Sequence, residues 1–159
     1  MKIKKLLPEN FLHCYDLLDI KSGELDYFKK LGWTFNQFYL QLFNQINFGL
    51  GLFKEEKLEA FIIGNLITIE KKLEYEILLI YVTIKRRKVG YATKLLNNLP
   101  IFIKKNSLKK IYLEVAANNH KAIQLYKKNK YQQIGTRKKY YIMKNKKIDA
   151  IFFEKIIND

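Results

Sequence analysis

One stretch of the chain, residues 76–96, constrains the possible fold more than any other. It opens with an uninterrupted apolar run at residues 77–82, which contains no Gly or Pro and therefore predicts a buried strand. A basic turn follows at residues 85–88, and apolar residues then return at helical spacing with Leu95 and Leu96. The sequence thus predicts a strand that leads through a basic turn directly into a helix.

The start of this predicted helix is suited to binding an anion. The first turn of a helix carries unpaired backbone N–H groups at the positive end of the helix dipole, and phosphate groups bind there readily. Gly90 has no Cβ to hold a phosphate away from the backbone, and Arg87 can add charge-assisted hydrogen bonds. A solvated basic loop that caps an ordinary helix would contain the same residues, and the loop alone does not separate the two interpretations.

The other segments predict a mixed α/β layer with helices on both faces of a single sheet. A first strand is expected at residues 2–6, a helix after Pro8, and a second helix with Thr34 as its N-cap. Residues 20–32 are interpreted as a loop or broken helix. Further strands are predicted at residues 48–54, 58–69, 110–115, 131–143 and 148–156, with helices from Gly90 to about Asn106 and after Asn119.

Length and composition favour one globular domain that spans residues 1–159. Apolar residues make up 48% of the chain and aromatic residues 14%, which excludes a disordered polypeptide. Cys14 is the single cysteine, so no internal disulfide can form and no metal site is indicated. No apolar run approaches the roughly 18 residues of a membrane-spanning helix, and Pro8-Glu9-Asn10 interrupts any signal peptide, so a cytoplasmic protein without membrane contact is expected.

The net charge of +15 raises the question of an acidic partner such as nucleic acid. The 30 basic residues include only three arginines, however, and the lysines are scattered along the chain. No sequence signature of a nucleic-acid-binding motif accompanies them. We therefore interpret the charge as solvated lysine faces, and nucleic acid is not expected as a partner except through the ribosome.

Two stretches together resemble the GCN5-related N-acetyltransferases, the GNAT family. The spacing Arg87-x-x-Gly90-x-Ala92 after a buried strand is similar to the acetyl-CoA loop of that family, Gln/Arg-x-x-Gly-x-Gly/Ala. Residues 111–141 resemble the RimI branch of the family, which acetylates the N-termini of ribosomal proteins. The matching residues are Leu113-Glu114-Val115, Asn119, Ala122-Ile123, Leu125-Tyr126 and Tyr140-Tyr141, with Trp33-Thr34 and Asp149-Ala150 similar to motifs nearer the two ends. The resemblance covers nearly the whole chain and implies the GNAT fold, a mixed and mostly antiparallel β-sheet that is splayed.

The resemblance also implies the site residues and the co-substrate. Acetyl-CoA would be bound, with no metal, by Ile80, Tyr81, Val82, Arg87, Lys88, Val89, Gly90, Tyr91, Ala92, Thr93, Asn119 and Tyr126. Glu114 would act as general base and Tyr126 as general acid, and the acceptor would contact Trp33, Tyr140 and Tyr141. The chain departs from the family where Lys130-Tyr131 replaces Gly-Phe, so the preceding helix is expected to end with Asn129 in the left-handed conformation.

The chemistry of amide formation supports the two catalytic assignments. Acetyl transfer requires a neutral amine, a group that stabilises the developing oxyanion and a proton for the leaving thiolate. Glu114 can accept the amine proton, Tyr126 can donate its hydroxyl proton at neutral pH, and backbone N–H groups near Tyr81 and Val82 can hold the thioester carbonyl. Without the resemblance, Glu114 would be interpreted as a solvated or salt-bridged strand residue and Tyr126 as a core residue, and His120 is a competing base.

The predicted function is direct acetyl transfer, in a ternary complex, from acetyl-CoA to the N-terminal α-amine of a protein. By resemblance, that acceptor is a ribosomal small-subunit protein. Glu24 and Asp26, which precede Trp33, are candidates for a local acidity that would attract a basic acceptor. Two alternatives remain open: a GNAT enzyme that acetylates lysine or small-molecule amines, and a basic RNA- or ribosome-binding module that keeps the fold without turnover.

Overall fold

A computed structural model describes residues 1–19, 24–103, 108–143 and 145–157 of the chain. Within these residues the strands are β1 (Lys2–Lys5), β2 (Asn47–Lys54), β3 (Lys57–Ile69), β4 (Lys72–Val82), β5 (Leu108–Ala116), β6 (Gln132–Met143) and β7 (Lys146–Ile156). The α-helices of the same residues are α1 (Phe11–Asp19), α2 (Leu25–Lys30), α3 (Phe35–Phe43), α4 (Tyr91–Phe102) and α5 (His120–Lys128). Short 3-10 turns at Pro8–Asn10 and Ile84–Arg86 precede α1 and follow β4.

The seven strands form one sheet in the order β1-β2-β3-β4-β5-β7-β6. Only the pairing of β4 with β5 is parallel, and the other neighbouring strands run antiparallel. Parallel neighbours require a crossover connection, and α4 supplies it between β4 and β5. The predicted mixed, mostly antiparallel sheet is confirmed.

Each face of the sheet has its own apolar cluster. On one face α4 and α5 pack through residues such as Leu95, Leu99 and Tyr126. On the other face α1, α2 and α3 pack through residues such as Phe28 and Phe38. The expectation of helices on both faces is therefore confirmed, and the sheet forms the middle layer of the molecule.

Local signals predicted several element boundaries correctly. The Thr34 side chain accepts a hydrogen bond from the Gln37 backbone N–H at 3.3 Å, as expected of the N-cap of α3. Asn119 caps α5 in the same way, and its side chain accepts from the Ala122 N–H at 3.2 Å. The β2–β3 hairpin turns at residues 55–56, where both residues have positive φ as a two-residue hairpin loop requires.

The stretch interpreted as a loop or broken helix contains a short helix, since residues 25–30 form α2, whereas residues 20–23 lie outside the described residues. Two boundaries differ from the sequence expectation. Helix α4 ends at Phe102 because Ile103 leaves the helical conformation, and the expected end near Asn106 lies outside the described residues. Strand β4 begins at Lys72, several residues before the apolar run that predicted it.

The end of α5 corrects the prediction for Asn129. Asn129 has φ −92°, whereas the next residue, Lys130, is left-handed with φ +66°. Lys130 N–H donates to the Lys127 carbonyl at 3.1 Å and Tyr131 N–H to the Tyr126 carbonyl at 3.0 Å, which is the hydrogen-bond pattern of a Schellman motif. Lysine thus occupies the left-handed position, which favours glycine, and Asn129 lies one residue before it.

Candidate active site

Strands β4 and β5 separate at the centre of the sheet. Their parallel ladder ends at the pair Ile77 and Leu113, although β4 continues to Val82 and β5 to Ala116. Leu78 is a bulge, because Leu79 pairs with Ile63 and Ile77 pairs with Gly64. A bulge bends a strand and re-aims its side chains. The result is an opening between the two strand ends, which confirms the predicted splay.

The loop between β4 and α4 has the backbone geometry of an anion site. Gly90 is the N-cap of α4 with φ +88°, and a Cβ placed on it would meet no heavy atom within 4 Å. Lys88 is also left-handed, and residues 87–90 are all exposed. Among the described residues, the Ala92 and Thr93 backbone N–H groups have no hydrogen-bond acceptor. These features fit the pyrophosphate group that the sequence predicts here.

The predicted cofactor residues contribute to this loop in different ways. Tyr91 is buried in the core under α4, so only its backbone faces the loop. Thr93 accepts a hydrogen bond from the Asn129 side-chain amide at 3.3 Å, which ties the first turn of α4 to the end of α5. Ile80 and Val82 pack on the α4 side of the sheet, while the Tyr81 ring lies in the cluster on the other side.

The Arg87 side chain is bound by other groups of the protein. Its guanidinium donates two hydrogen bonds to the Glu24 carboxylate, at 2.9 and 2.6 Å, and one to the Val82 carbonyl at 3.0 Å. It also lies 5.5 Å from the centre of the Tyr81 ring. This ion pair joins α2 to the loop before α4 and lowers the pKa of Glu24, chiefly through the hydrogen bonds from Arg87. The expectation that Glu24 provides local acidity is therefore wrong, because the Arg87 cation neutralises its charge. Asp26 is exposed on α2, and its part in that expectation stays a prediction.

Glu114 lies on the face of the sheet opposite to α4 and α5. Its neighbours Leu113 and Val115 point into the core under those helices, so Glu114 alternates to the other side. Its Oε1 atom is 3.9 Å from Nη1 of Arg137, and its Oε2 atom is buried without a hydrogen-bond partner among the described residues. A buried carboxylate oxygen without a partner is rare in folded proteins and often marks a functional group.

The surroundings of Glu114 are acidic. Glu76 lies on the neighbouring strand, and its pKa is raised first by burial and then by the charge of Glu114. Glu154 is on the same face, since it pairs with Tyr112 two residues before Glu114. Three glutamates therefore share this face of the sheet, which we call the acidic area, and Arg137 is the cation nearest to Glu114.

Tyr126 lies on the opposite face of the sheet from Glu114. Its ring is buried against Tyr131 and Phe153, at centroid distances of 5.6 and 6.1 Å. Burial raises its pKa well above the usual range, and interaction with Tyr141 raises it further. Tyr141 also interacts electrostatically with Glu114 and is therefore coupled to both groups. The hydroxyl of Tyr126 stays protonated at neutral pH and can act as a hydrogen-bond donor.

The aromatic residues expected at the acceptor side are not all together. Tyr140 and Tyr141 are adjacent at a centroid distance of 5.0 Å, and the Arg137 guanidinium lies 4.5 Å from the Tyr140 ring. Burial, followed by the charge of Glu114, raises the pKa of Tyr141 to about 12. Trp33, in contrast, packs 5.5 Å from Phe38 in the core under α3. Trp33 is nevertheless only half-buried, and acceptor contact by these three residues stays a prediction.

Two residues near the site were not assigned from the sequence. Tyr27 on α2 has its pKa raised, mainly by burial, and is hydrogen-bonded by the Asn119 side chain. It also interacts electrostatically with Tyr141 of β6. Arg137, the cation nearest to Glu114, is the second. Because residues 20–32 were interpreted as a loop or broken helix, no local signal pointed to Tyr27. The single arginine of β6 was a signal that could have been used.

Metal sites and membrane-spanning helices are both absent from the described residues. Over residues 1–19, 24–103, 108–143 and 145–157, no cluster of three or more His, Cys, Asp or Glu is placed to hold a metal ion. In the same ranges, no helix has the length and apolar character to span a membrane.

The chain belongs to the acetyltransferase (GNAT) family, whose sequence model matches residues 14–131. A similar solved structure is the ribosomal-protein-S18-alanine N-acetyltransferase from Escherichia coli, with a TM-score of 0.82, 22% identity, and coverage of 99% of this chain and 94% of that chain. Arabidopsis thaliana NAA60 in complex with acetyl-CoA has a TM-score of 0.77 at 19% identity, with 99% of both chains covered. An aminoglycoside 6'-N-acetyltransferase complexed with coenzyme A also has a TM-score of 0.77, at 16% identity and coverage of 100% and 98%. A comparison with curated protein sequences found no match.

Proposed function

We propose that residues 1–159 act as a single domain that transfers an acetyl group from acetyl-CoA to the N-terminal α-amine of a protein. The observation that carries the proposal is Glu114, whose buried Oε2 atom has no partner among the described residues and lies beside the opening between β4 and β5. A carboxylate in this position can accept a proton from an incoming ammonium group. Membership of the GNAT family and the open, left-handed Gly90 loop support acetyl-CoA as the donor.

Residues on the two faces of the sheet would carry out different parts of the reaction. Bound acetyl-CoA supplies the acetyl group as a thioester, which amines attack without prior activation of the carbonyl. Residues 88–93 would hold the pyrophosphate through backbone N–H groups, and the N–H groups of β4 that face the opening would hold the carbonyl oxygen. Glu114 would take the amine proton from one side, so that transfer is direct and needs no covalent enzyme intermediate.

Tyr126 would act on the leaving sulfur from the other side. A thiol has a reference pKa of about 8.5, well below the raised pKa of this tyrosine. Complete proton transfer from Tyr126 to the thiolate is therefore uphill, and the hydroxyl would stabilise the thiolate as a hydrogen-bond donor. The final proton would then come from solvent. This refines the general-acid role expected of Tyr126.

An α-amine is the easier acceptor for a single carboxylate base. Its pKa is about 7.7–8.0 against about 10.4 for a lysine side chain, so roughly a tenth of α-amines are neutral at pH 7 but well under one lysine in a thousand. Glu76 and Glu154 beside Glu114 would attract the positively charged form of the acceptor. Tyr140 and Tyr141 would cover the first residues of the peptide. A ribosomal protein is the proposed acceptor, and the similarity to the Escherichia coli S18-alanine enzyme supports it.

A second candidate function is acetylation of a small-molecule amine. The similar solved structures include the aminoglycoside acetyltransferase and a spermidine N-acetyltransferase chimera with a TM-score of 0.74. The acidic area around Glu114 would also suit a polyamine. The two candidates differ in the acceptor and not in the donor, so acceptor specificity separates them.

The decisive experiment measures thiol release from acetyl-CoA with a matched panel of acceptors. The panel contains a peptide with a free N-terminus and no lysine, the same peptide with a blocked N-terminus and one lysine, a polyamine and an aminoglycoside. We expect the highest kcat/KM with the free N-terminus. An equal or higher value for the blocked peptide would overturn α-amine selectivity. Binding of acetyl-CoA without thiol release for any amine would instead indicate a non-catalytic module.

Glu114→Gln tests the base, with His120→Gln as its matched control. The first substitution should lower kcat by about 10²–10⁴. The second should leave kcat unchanged, because His120 is at the exposed start of α5. A loss of kcat in His120→Gln, with kcat unchanged in Glu114→Gln, would make His120 the base.

A further inference from the structure

A long uncharged stretch interrupts this highly charged chain. Residues 31–53 contain no Asp, Glu, Lys or Arg, although 28% of all residues are charged. The stretch includes the whole of α3 and nearly all of β2. The strand is buried, which explains its composition, but the helix is not.

Helix α3 exposes a continuous apolar face. Phe35, Tyr39 and Phe43 follow one another at four-residue spacing and are 46%, 43% and 50% exposed. Leu40 beside them is 60% exposed, and Ile46 just after the helix is 44% exposed. Tyr39 and Phe43 stack at a centroid distance of 4.3 Å. We call these five residues the α3 face.

The α3 face is anchored firmly on its inner side. Phe38 and Leu42 are buried in the core, and Phe11 on α1 contacts the Phe35 and Tyr39 rings at 5.0 and 5.4 Å. The exposed rings are therefore held in place on a packed helix. Aromatic residues without charged neighbours are the composition found at the centre of protein interfaces, and contiguous apolar patches of this kind mark interaction sites.

We propose that the α3 face binds the α3 face of a second copy of this chain, forming a two-fold symmetric dimer. The charge favours this occupant. Two chains that each carry +15 repel one another through any surface rich in lysine, and the α3 region is the part of the chain without charged residues. A self-complementary apolar patch is also what a two-fold interface requires, because the same surface faces itself.

The area of the α3 face is sufficient for such a dimer. A half-exposed aromatic or large aliphatic side chain presents about 100 Å², so the five residues present about 500 Å² per copy. Two copies would bury about 1,000 Å² before any polar rim is counted, which reaches the lower limit for a specific interface. Exposed uncharged residues next to the face, Asn36, Gln37, Asn44 and Gln45, can supply that rim.

Sedimentation equilibrium over a range of protein concentrations tests the proposal. We expect the wild-type chain to pass from monomer to dimer and Leu40→Lys to remain a monomer at every concentration. Ile101→Lys is the matched control, because Ile101 is a 67% exposed helical residue on α4, away from the α3 face. This control should dimerise like the wild type. Unchanged thermal denaturation of both variants shows that the fold is intact.

Salt gives a second test with a defined sign. Added salt screens the repulsion between two positive chains, so the dimerisation constant should rise with ionic strength. A contact held by opposite charges would weaken instead.

A wild-type chain that sediments as a monomer at all concentrations and salt levels overturns the proposal. The same holds if Leu40→Lys dimerises as well as the wild type, or if the monomer instead binds vesicles of anionic phospholipid through this face. None of these measurements uses acetyl transfer, so they stand independently of the proposed function.

Discussion

Replacing Lys130 by glycine should stabilise the protein. Lys130 is left-handed with φ +66°, a conformation that costs a non-glycine residue about 1–2 kcal/mol. Glycine avoids this cost but loses about 0.5–1 kcal/mol more backbone entropy on folding. The net gain should be about 0.5–1 kcal/mol. Removing the Lys130 charge acts in the same direction, because that charge, after burial, lowers the pKa of Lys155.

The hydrogen bonds that close α5 should survive this substitution. They are made by backbone groups of residues 130 and 131, and the Tyr131 ring remains packed on Tyr126 at a centroid distance of 5.6 Å. The full increase in the free energy of unfolding should therefore be measurable by chemical denaturation. For a chain of this size, 1 kcal/mol corresponds to a rise in Tm of about 2–4 °C.

Lys127→Gly is the matched control for Lys130→Gly. It makes the same replacement three residues earlier, at an exposed position within α5, where glycine should destabilise by about 0.5–1 kcal/mol. The two substitutions should thus change the denaturation midpoint in opposite directions. If both lower it, the left-handed conformation of Lys130 carries no cost and the explanation is refuted.

Four further predictions concern the core and the site. Tyr131→Phe should raise stability by about 1 kcal/mol in urea denaturation, because the buried Tyr131 hydroxyl has no partner among the described residues. Gly90→Trp should abolish acetyl-CoA binding in calorimetry, whereas Gly32→Trp, at the similar φ of +90° and with equally open space, should not. Glu24→Gln should lower stability at neutral pH but not in strong acid. The Arg87 hydrogen bonds lower the pKa of Glu24, so its stabilisation exists above the unfolded pKa and is lost as the pH falls through the folded one. The activity lost in Glu114→Gln should recover partly at high pH, where the amine deprotonates unaided.

Features that depend on neighbouring residues were predictable from the sequence. Thr34 and Asn119 cap their helices because a side-chain oxygen reaches a backbone N–H three residues on, which involves no other part of the chain. The hairpin at residues 55–56 and the strand, turn and helix around Gly90 follow from equally local patterns. These local patterns together predicted the order of the strands along the chain and the position of the cofactor loop.

Features that depend on distant residues were not predictable. Glu24 and Arg87 are 63 positions apart, so their ion pair has no sequence signal, and Glu24 was assigned a free charge that it does not have. Asn129 was expected to be left-handed because asparagine tolerates that conformation better than lysine. Burial instead decides which residue is left-handed. The hydrogen bonds that end α5 place the Tyr131 ring against Tyr126, and in that arrangement Lys130 is the left-handed residue.

The bulge at Leu78 explains how residues on opposite faces of the sheet can serve one reaction. Before the bulge Tyr75 and Ile77 point toward the core under α4, and after it Leu79 and Tyr81 point to the other core. The ladder with β5 ends at the residue before this bulge, so the sheet is open between the two strand ends. On the proposed function, a thioester in this opening would face Glu114 with its carbonyl carbon and Tyr126 with its sulfur.

On the proposed function, this arrangement keeps the base and the hydroxyl donor apart. A carboxylate and a phenol in direct contact would hydrogen-bond to each other, and neither would be available to the reactants. Separated by the sheet, Glu114 keeps an oxygen atom without a partner among the described residues, and Tyr126 keeps its proton because burial raises its pKa. Tyr126→Phe should consequently lower kcat while leaving acetyl-CoA affinity and the pH dependence set by the amine unchanged. A shift in that pH dependence would mean that Tyr126 acts on the amine and not on the sulfur.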